Sequence, residues 1–274
     1  MEHIFRVVTW NCRRASSRSP AWDYLLELDP DLALLQEIGS LPDHVSEQYA
    51  GAFDTPVTPS GRPQRFRTGL LVNGRIDEEI PLPAPVAWVA RELAFFRGNF
   101  VARRVTLVCG VRLKALSAYC PAFPIDRERL QGVDTTGIQL TQNPDVWATE
   151  LLWASLKGMI VARDDLFVVG GDFNSSETFD THWGKKPRGN REIIDRMYAL
   201  GFWECLRGFK GSLTPTFRSP RGGQVIHQID HLYVTEPLRR GLVHCEVGAA
   251  ERVFDTSPAI SDHLPIVADF RWPA

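Results

Sequence analysis

The chain has 274 residues, of which 44% are hydrophobic and 23% are charged, and its formal net charge at pH 7 is −2. This composition is typical of a soluble globular protein and allows one large domain or two small ones, each with a sizeable core. It excludes the global basic field that nonspecific nucleic-acid binders often carry, so any contact with a polyanion has to be made by local basic clusters.

The cysteine pattern argues against a disulfide framework or a structural zinc site, because the five cysteines are widely scattered and form no Cys-x-x-Cys pair. No basic-then-apolar signal precedes the first predicted strand, and no apolar run approaches the roughly 18 residues of a membrane helix. We therefore expect a cytoplasmic protein with reduced thiols, no membrane association and no obligate protein partner. No linker or repeat marks a boundary, which predicts a single domain over residues 1–274.

The first elements alternate between strand and helix. Residues 4–10 are β-prone and predict a strand, after which a short amphipathic helix is predicted between residues 19 and 30. A second apolar run at residues 32–35 predicts another strand. This order is typical of an α/β arrangement, in which Glu37 at the end of the second strand would lie beside Asn11 at the end of the first.

Basic residues gather around a strand predicted at residues 69–72. Guanidinium groups suit phosphate because they can grip it in a bidentate way, although a row of charges is also typical of a solvated face. Arg65 and Arg67 are therefore candidate substrate contacts.

The middle of the chain predicts several more elements. Apolar runs at residues 86–89, 93–96 and 105–108 are strand candidates, and residues 114–120 predict a strand that a proline ends. Large apolar residues with three- and four-residue spacing between 147 and 159 predict a helix that faces the sheet.

Residues 166–174 contain the central polar pair. Four apolar residues predict a short buried strand, two glycines are expected to let the backbone turn tightly, and Asp172 and Asn174 then emerge on one face. A carboxylate there can bind a metal or accept a proton from water, while the neutral amide can hold an anionic oxygen. Taken alone, an Asp-x-Asn turn cap explains this pattern equally well.

A basic loop follows this pair. Lys185, Lys186 and Arg188 lie close to Trp183, a combination that is used to grip phosphates and stack bases of single-stranded nucleic acid. The alternative is a solvated loop. A helix is predicted from residue 193 to residue 200.

Two further polar clusters come late in the chain. Ile229-Asp230-His231 opens a predicted strand, and Ser261-Asp262-His263 precedes the strand predicted at residues 264–270. Together with the earlier clusters, they place polar groups at the ends or starts of five strands. That recurrence argues against five independent turn caps.

In chain order, the five clusters resemble the motifs of the endonuclease/exonuclease/phosphatase superfamily, whose members are metal-dependent phosphodiesterases and phosphatases. The matching motifs are Thr9-Trp10-Asn11, Leu35-Gln36-Glu37, Gly171-Asp172-Phe173-Asn174, Ile229-Asp230-His231 and Ser261-Asp262-His263. The resemblance covers nearly the whole chain. It implies an α/β fold of the four-layered sandwich type, with two packed mixed β-sheets flanked by helices.

Tyr119 and Pro121 resemble the Tyr-x-Pro pattern of the exonuclease III-like branch. That branch usually continues with asparagine and glycine, whereas Ala122 and Phe123 follow here. The departure weakens an assignment to abasic-site repair. A buried core tyrosine is the alternative interpretation of Tyr119.

The resemblance implies a metal site. Glu37 would hold Mg²⁺ (or Mn²⁺), together with Asp262, and Asn11 would orient the metal shell and Asp172. Carboxylate oxygens are the ligands that such hard cations prefer.

The resemblance also implies catalytic roles. Asp172 would position or deprotonate the attacking water, and Asn174 would hold a nonbridging oxygen. His263, oriented by Asp230, would donate to the phosphate as charge builds up, and Tyr119 would hold the phosphate or protonate the leaving group.

These features favour a metal-dependent hydrolase that cleaves phosphodiesters of nucleic acid by attack of water on phosphorus. One alternative is a phosphatase or phosphodiesterase for a small molecule or lipid headgroup, which the mildly acidic net charge permits. Another is a catalytically inactive binding module on the same fold. Against it, no acid, amide or imidazole of the motif set is missing.

Overall fold

The computed structural model of the chain describes residues 2–159, 164–182, 188–219 and 223–273. These residues form two six-stranded sheets and nine α-helices. The strands are β1 (Glu2–Ala15), β2 (Leu32–Ile38), β3 (Ala50–Asp54), β4 (Arg67–Val72), β5 (Gly74–Glu79), β6 (Phe100–Leu107), β7 (Arg112–Tyr119), β8 (Phe167–Asp172), β9 (Phe202–Glu204), β10 (Asp230–Thr235), β11 (Leu242–Val247) and β12 (Ile266–Pro273). The helices are α1 (Ala21–Leu28), α2 (Asp43–Gln48), α3 (Ala87–Phe95), α4 (Ala148–Gly158), α5 (Thr178–His182), α6 (Asn190–Ala199), α7 (Cys205–Lys210), α8 (Glu236–Gly241) and α9 (Ala250–Val253).

Both sheets are mixed, and each has one parallel pair at its centre. The first sheet has the order β11-β12-β1-β2-β4-β3, and the second has the order β5-β6-β7-β8-β10-β9. The parallel pairs are β1 with β2 and β7 with β8, while the other neighbours are antiparallel. The two strands of each parallel pair therefore end at the same edge of their own sheet.

Three hydrophobic clusters hold four layers together. Because side chains alternate along a strand, Phe5 and Val7 of β1 face the second sheet, while Val8 and Trp10 pack on the outer side with α1. A third cluster lies between the second sheet and the helices α3, α4 and α6. The predicted four-layered α/β sandwich is confirmed.

The two glycines before Asp172 do not turn the chain as the sequence predicts. Both lie within β8, which continues as far as Asp172. A Cβ at Gly170 would come within 2.9 Å of Leu34 and 3.1 Å of Thr9, which belong to the first sheet. A Cβ at Gly171 would overlap the carbonyl oxygen of Ala118 on β7. The glycines therefore allow close packing on both sides of the central strand.

The two strands predicted at residues 86–89 and 93–96 are wrong, because this region forms the single helix α3. Its buried side chains include Trp88, Val89 and Leu93, whose spacing is helical. Glu92 separates the two apolar runs in the sequence, yet it is fully buried between the guanidinium groups of Arg91 (2.8 Å) and Arg129 (2.9 Å). The apparent gap between the runs is thus part of the buried helix face.

The other predicted helices are confirmed, with ends that differ by a few residues. The first is α1, which ends at Asp29 in a left-handed conformation, and the others are α4 and α6. All five cysteines are free. In the described residues, no helix has the length and apolar character that crossing a membrane requires.

We expect Gly171→Ala to lower the free energy of unfolding by about 1–3 kcal/mol or more, because the new Cβ would force β8 away from Ala118. Chemical denaturation at neutral pH measures this. Gly208→Ala in α7 is the matched control, since its Cβ would meet nothing within 4 Å. An unchanged midpoint for Gly171→Ala would show that the β7–β8 contact tolerates a side chain.

Candidate active site

The register of the strands brings the predicted polar residues to one edge. In the second sheet, Asp172 lies opposite Asp230 on β10 and opposite Tyr119 on β7. In the first sheet, Asn11 lies opposite Gln36, next to Glu37. The edges of the two sheets meet there.

The Asp172 carboxylate is fixed by three hydrogen bonds. Its Oδ1 accepts from the backbone N–H of Asn174 (2.9 Å), and its Oδ2 accepts from the amide groups of Asn174 (3.1 Å) and Asn11 (3.0 Å). The side chain is 2% exposed. Burial raises the pKa of Asp172; the positive charge of His263 opposes this increase and the negative charge of Asp230 adds to it.

The His263 imidazole is paired with Asp230. Its Nδ1 lies 3.0 Å from both carboxylate oxygens of Asp230, and its Nε2 lies 4.0 Å from Asp172 Oδ2. Burial by itself would lower the pKa of His263, but the charges of Asp230 and Asp172 raise it to about 10. The imidazole is therefore held as a cation whose Nε2 faces the site.

Buried hydroxyl and indole groups hold this pair in place. Thr216 Oγ1 donates to Asp230 Oδ2 (2.6 Å), and Trp10 Nε1 donates to the carbonyl oxygen of His263 (2.8 Å). Ser261 Oγ donates to the Asn11 carbonyl (2.7 Å) and accepts from the His263 N–H (3.1 Å). The loop before β12 is thus tied to β1.

Four polar residues of the site have a left-handed backbone. The φ angles of Glu37 (51°) and Asn174 (46°) are positive, and so are those of the consecutive residues Arg13 (46°) and Arg14 (59°). Side chains other than glycine rarely adopt this conformation, and backbone strain of this kind is concentrated at functional sites. Arg13, Arg14 and Glu37 lie within β1 and β2, at the places where the pairing register of these strands shifts.

Glu37 and Asp262 are partly open acids on either side of this network. Glu37 Oε1 lies 3.5 Å from Asn11 Nδ2, and Asp262 Oδ1 lies 4.0 Å from His263 Nε2. Their side chains are 18% and 17% exposed, and the nearest guanidinium nitrogens, of Arg14 and Arg13, remain 3.7 and 3.9 Å away.

This donor set fits a hard divalent cation, because it offers carboxylate oxygens whose ion pairs with Arg13 and Arg14 are long, at 3.9 and 3.7 Å. Asp172, Asp230 and His263 also have one potential ligand atom each within 4.8 Å of one another. The side-chain oxygen of Asn11, however, accepts from the Arg13 N–H (3.0 Å). Asn11 therefore positions carboxylates through its N–H groups, and coordination through its oxygen stays a prediction.

Tyr119 lies at the opening of the site and is partly exposed. Burial raises the pKa of its hydroxyl, and the negative charges of Glu37 and Asp172 raise it further. Its ring packs edge-on against Phe66 at 5.2 Å, and the Arg14 guanidinium lies 5.6 Å from the Phe66 ring centre. This contact joins the basic rim to the acidic centre.

The predicted basic contacts have different surroundings. Arg65 is exposed next to Phe66, whereas Arg67 stacks on the ring of Phe53 at 4.7 Å. Arg188 is exposed and lines a cavity that Asn174 also lines. Lys185 and Lys186 lie outside the described residues.

Comparison with known proteins agrees with this geometry. The sequence matches the profile described as Endonuclease/Exonuclease/phosphatase family over residues 8–263. The chain belongs to that family. No curated protein matches the sequence.

Several solved structures share this family's fold. One is a 3′ phosphatase from Neisseria bound to a product DNA hairpin (18% identity, TM-score 0.68, 98% of this chain and 100% of that chain). Another is an AP endonuclease from Archaeoglobus fulgidus (20%, 0.67, 97% and 99%). A third is an AP endonuclease from Leishmania major (15%, 0.65, 98% and 88%).

Sequence reasoning missed several residues of this family member's site. Arg13 and Arg14 follow Asn11 after one residue, Cys12, and that proximity was the available signal. Ser261 belongs to the motif Ser261-Asp262-His263 but had no assigned role, and Thr216 is an isolated hydroxyl residue that gives no signal of its own.

Because folding raises the pKa of His263 from 6.5 to about 10, the protonated imidazole stabilises the fold fully below pH 6.5, and this contribution is lost as the pH rises through 10. We expect the free energy of unfolding to fall less between pH 6.5 and pH 10 in Asp230→Asn than in the wild-type protein. Denaturation of the metal-free protein at pH 6.5, 8 and 10 measures it.

Asp269→Asn serves as the control, since Asp269 pairs with Arg6 (2.7 Å) instead of a histidine. A titration of the His263 ring by NMR gives the same quantity directly. If Asp230→Asn left the midpoint of the His263 titration unchanged, this would contradict the assigned ion pair.

Proposed function

We propose that this chain hydrolyses phosphodiester bonds of nucleic acid by attack of water on phosphorus, with a divalent cation as cofactor. One observation supports this above the others: the side chains of Asn11, Asp172 and His263, which are far apart in the sequence, form a continuous buried network with contacts of 3.0 and 4.0 Å. Membership of a family of nucleases and phosphatases supports the same reaction class.

In this proposal Asp172 holds and deprotonates the attacking water. Its three hydrogen bonds aim the carboxylate, and burial raises its pKa towards the range in which a general base works well near neutral pH. Both amide donors come from neutral asparagines, so they orient the base without adding a competing charge.

His263 supplies a positive charge to the site. The Asp230 pair keeps the imidazole protonated, and Nε2 can then donate to a nonbridging oxygen on which negative charge develops. Asn174 also borders the place of the phosphate, but its amide already donates to Asp172 and to the Cys120 carbonyl (2.8 Å). We assign it to positioning Asp172 as well as to holding phosphate.

Glu37 and Asp262 would hold Mg²⁺ (or Mn²⁺), with Asn11 orienting Glu37. When bound, such a cation neutralises phosphate charge and stabilises the leaving oxygen. Tyr119 lies beside Glu37 and Asp172 with a raised pKa, so it keeps its proton and can donate it to a phosphate or leaving oxygen.

Nucleic acid is the substrate that the rim favours. Arg13 lies 3.9 Å from Asp262, Arg14 lies 3.7 Å from Glu37 beside the Phe66 ring, and the exposed Arg65 precedes Phe66. Such cationic groups beside the acidic centre suit a chain of phosphates. Two of the structural relatives are named as AP endonucleases and one is bound to a DNA hairpin, which supports the same class of substrate here.

We expect Asp172→Asn and His263→Gln each to lower kcat/KM by about 10²–10⁴-fold while the fold is kept, since each removes one charged group from the transition state. The assay follows cleavage of labelled single- and double-stranded DNA and RNA with Mg²⁺ or Mn²⁺, and with EDTA as the metal-free arm. Asp269→Asn is the control carboxylate.

Turnover of small phosphoesters alone, from a panel of inositol phosphates and a generic phosphodiester, would favour the small-molecule alternative. Near-normal turnover in Asp172→Asn would refute the assigned base. If no substrate is turned over and nucleic acid is still bound, the inactive binding module gains support.

We expect binding of single-stranded DNA to weaken steeply with salt, because phosphate contacts release counterions. Arg14→Ala should lower the slope of log K against log salt by about 1 and weaken binding to all sequences alike. Fluorescence anisotropy between 50 and 300 mM salt, with Asp172→Asn as the inactive background, measures the slope.

Arg240→Ala is the matched control, because this exposed arginine is paired with Glu236 (3.0 Å) in α8, at the other end of β10 from Asp230. If Arg14→Ala had the same slope of log K against log salt as the protein without this change, Arg14 would not belong to the proposed interface.

A further inference from the structure

A cavity of about 580 Å³ opens beside the catalytic network and contains none of its charged groups. We call it the Asn174 cavity, since Asn174 and Cys120 form the side nearest Asp172. Its apolar walls are the side chains of Leu140, Trp147, Phe173, Phe179 and Ile193. Its volume is in the range of pockets that bind small organic groups.

The cavity is joined to the catalytic centre by one amide. Asn174 Nδ2 donates both to Asp172 Oδ2 (3.1 Å) and to the carbonyl oxygen of Cys120 (2.8 Å). A group bound in the cavity would therefore lie beside Asp172, next to the position that the proposed mechanism gives to the scissile phosphate. It would belong to a nucleotide that adjoins the phosphate.

The walls of the Asn174 cavity are held in place by buried hydrogen bonds. Glu150 is fully buried, and its carboxylate accepts from the backbone N–H groups of Leu140 (3.1 Å) and Trp147 (2.8 Å). On the opposite side, Asn190 is held by Ser175 (2.9 Å) and Asp180 (2.9 Å). The cavity is thus formed before any ligand enters.

Two polar groups of the lining are left for a ligand. Asn143 is 8% exposed, and its Oδ1 accepts from the Asp145 N–H (3.1 Å), but its amide N–H groups have no hydrogen-bond partner among the described residues. The exposed Arg188 guanidinium likewise has no ion pair in the part of the chain that the structure describes. Its neighbour Arg191, in contrast, is paired with Asp195 (3.0 Å) and Glu177 (3.2 Å).

We propose that the Asn174 cavity binds the unstacked nucleobase of a nucleotide that adjoins the scissile phosphate. Aromatic walls suit a planar ring, the Asn143 amide can donate to an acceptor on the edge of the base, and Arg188 at the rim can contact the next phosphate. A paired and stacked base cannot enter, so the substrate is single-stranded or has a nucleotide turned out of the duplex. This assignment rests on the proposed phosphodiesterase function.

A binding experiment tests the proposed role of the cavity without requiring the cleavage reaction. Deoxyadenosine 5′-monophosphate and base-free deoxyribose 5-phosphate are titrated calorimetrically against the metal-free protein. We expect the nucleotide to bind at least about 10-fold more tightly, as stacking of one base on aromatic side chains predicts. Equal affinities would overturn the proposal.

Variants then test whether the preference for the nucleotide over the base-free sugar phosphate arises in the Asn174 cavity. Trp147→Leu removes an aromatic wall and should abolish the preference for the nucleotide, whereas Trp153→Leu, in the same helical region but outside the cavity, should keep it. Both tryptophans have a buried indole N–H without an acceptor among the described residues, so the pair is matched. Asn143→Asp keeps the acceptor for Asp145 and removes the free donor, and it should reduce the preference even if Trp147→Leu fails to fold.

Arg188→Ala should weaken binding of a pentanucleotide and leave both single-phosphate ligands unchanged, because Arg188 is assigned to the next phosphate, while Arg191→Ala should leave all three unchanged. A preference for the nucleotide that survives in both Trp147→Leu and Asn143→Asp would assign the base to another site and overturn the proposal.

A cleavage experiment separates this inference from the proposed function. Wild-type protein is given a short single strand, the same strand with the flanking base removed, and its duplex. We expect the base-free strand and the duplex to be cut at least about 10-fold more slowly. Equal cutting of all three would refute the cavity assignment and leave the hydrolase standing.

If no strand is cut while the nucleotide preference persists, the proposed function fails and the base site stands. A pentanucleotide that binds no more tightly than the mononucleotide would overturn the assignment to a strand, since it would identify a free nucleotide as the ligand.

Discussion

The hydrogen bond between Asn11 Nδ2 and Asp172 Oδ2, 3.0 Å long and buried, crosses from one sheet to the other, and the site depends on it. It can form only where the edges of the two sheets come together. Gly170 allows this close approach, because any side chain there would meet Leu34 and Thr9 of the first sheet. Packing of the sheet faces thus sets the distance between the groups from each half of the chain.

The charges that the sheets enclose are balanced locally. Burying Asp172, Asp230 and His263 is unfavourable for each alone, but the imidazolium lies 3.0 Å from Asp230 and 4.0 Å from Asp172. Hydroxyl and amide donors satisfy the remaining carboxylate oxygens. The same arrangement prepares a base and an acid, since burial raises the pKa of Asp172 while the carboxylates raise that of His263.

The surroundings of this centre are different on its two sides. Towards Phe66 the rim is cationic and open, with Arg14 above the ring. Towards Asn174 lies the apolar cavity, whose walls the buried Glu150 carboxylate holds. A phosphate chain suits the first surface and a planar ring suits the second, so a nucleotide with a phosphate between them would contact both. The net charge of −2 does not oppose this, because the positive charges are concentrated where the phosphates would lie.

The sequence by itself determined the alternation of the first strands and helices, the helices α4 and α6 and the polar residues at the strand ends, since alternation, apolar spacing and short polar motifs are local signals. The layered α/β class followed from the resemblance of those motifs to a known family. It misassigned residues 86–96, because the buried charge of Glu92 divides one helix face into two apolar runs. It also misplaced the role of Gly170 and Gly171, which is set by strands distant in the chain. Only the tertiary structure decided the geometry of the His263–Asp230 ion pair, which the resemblance had implied, and the cavity beside Asn174. Both depend on contacts between residues far apart in the chain, for which no local pattern exists.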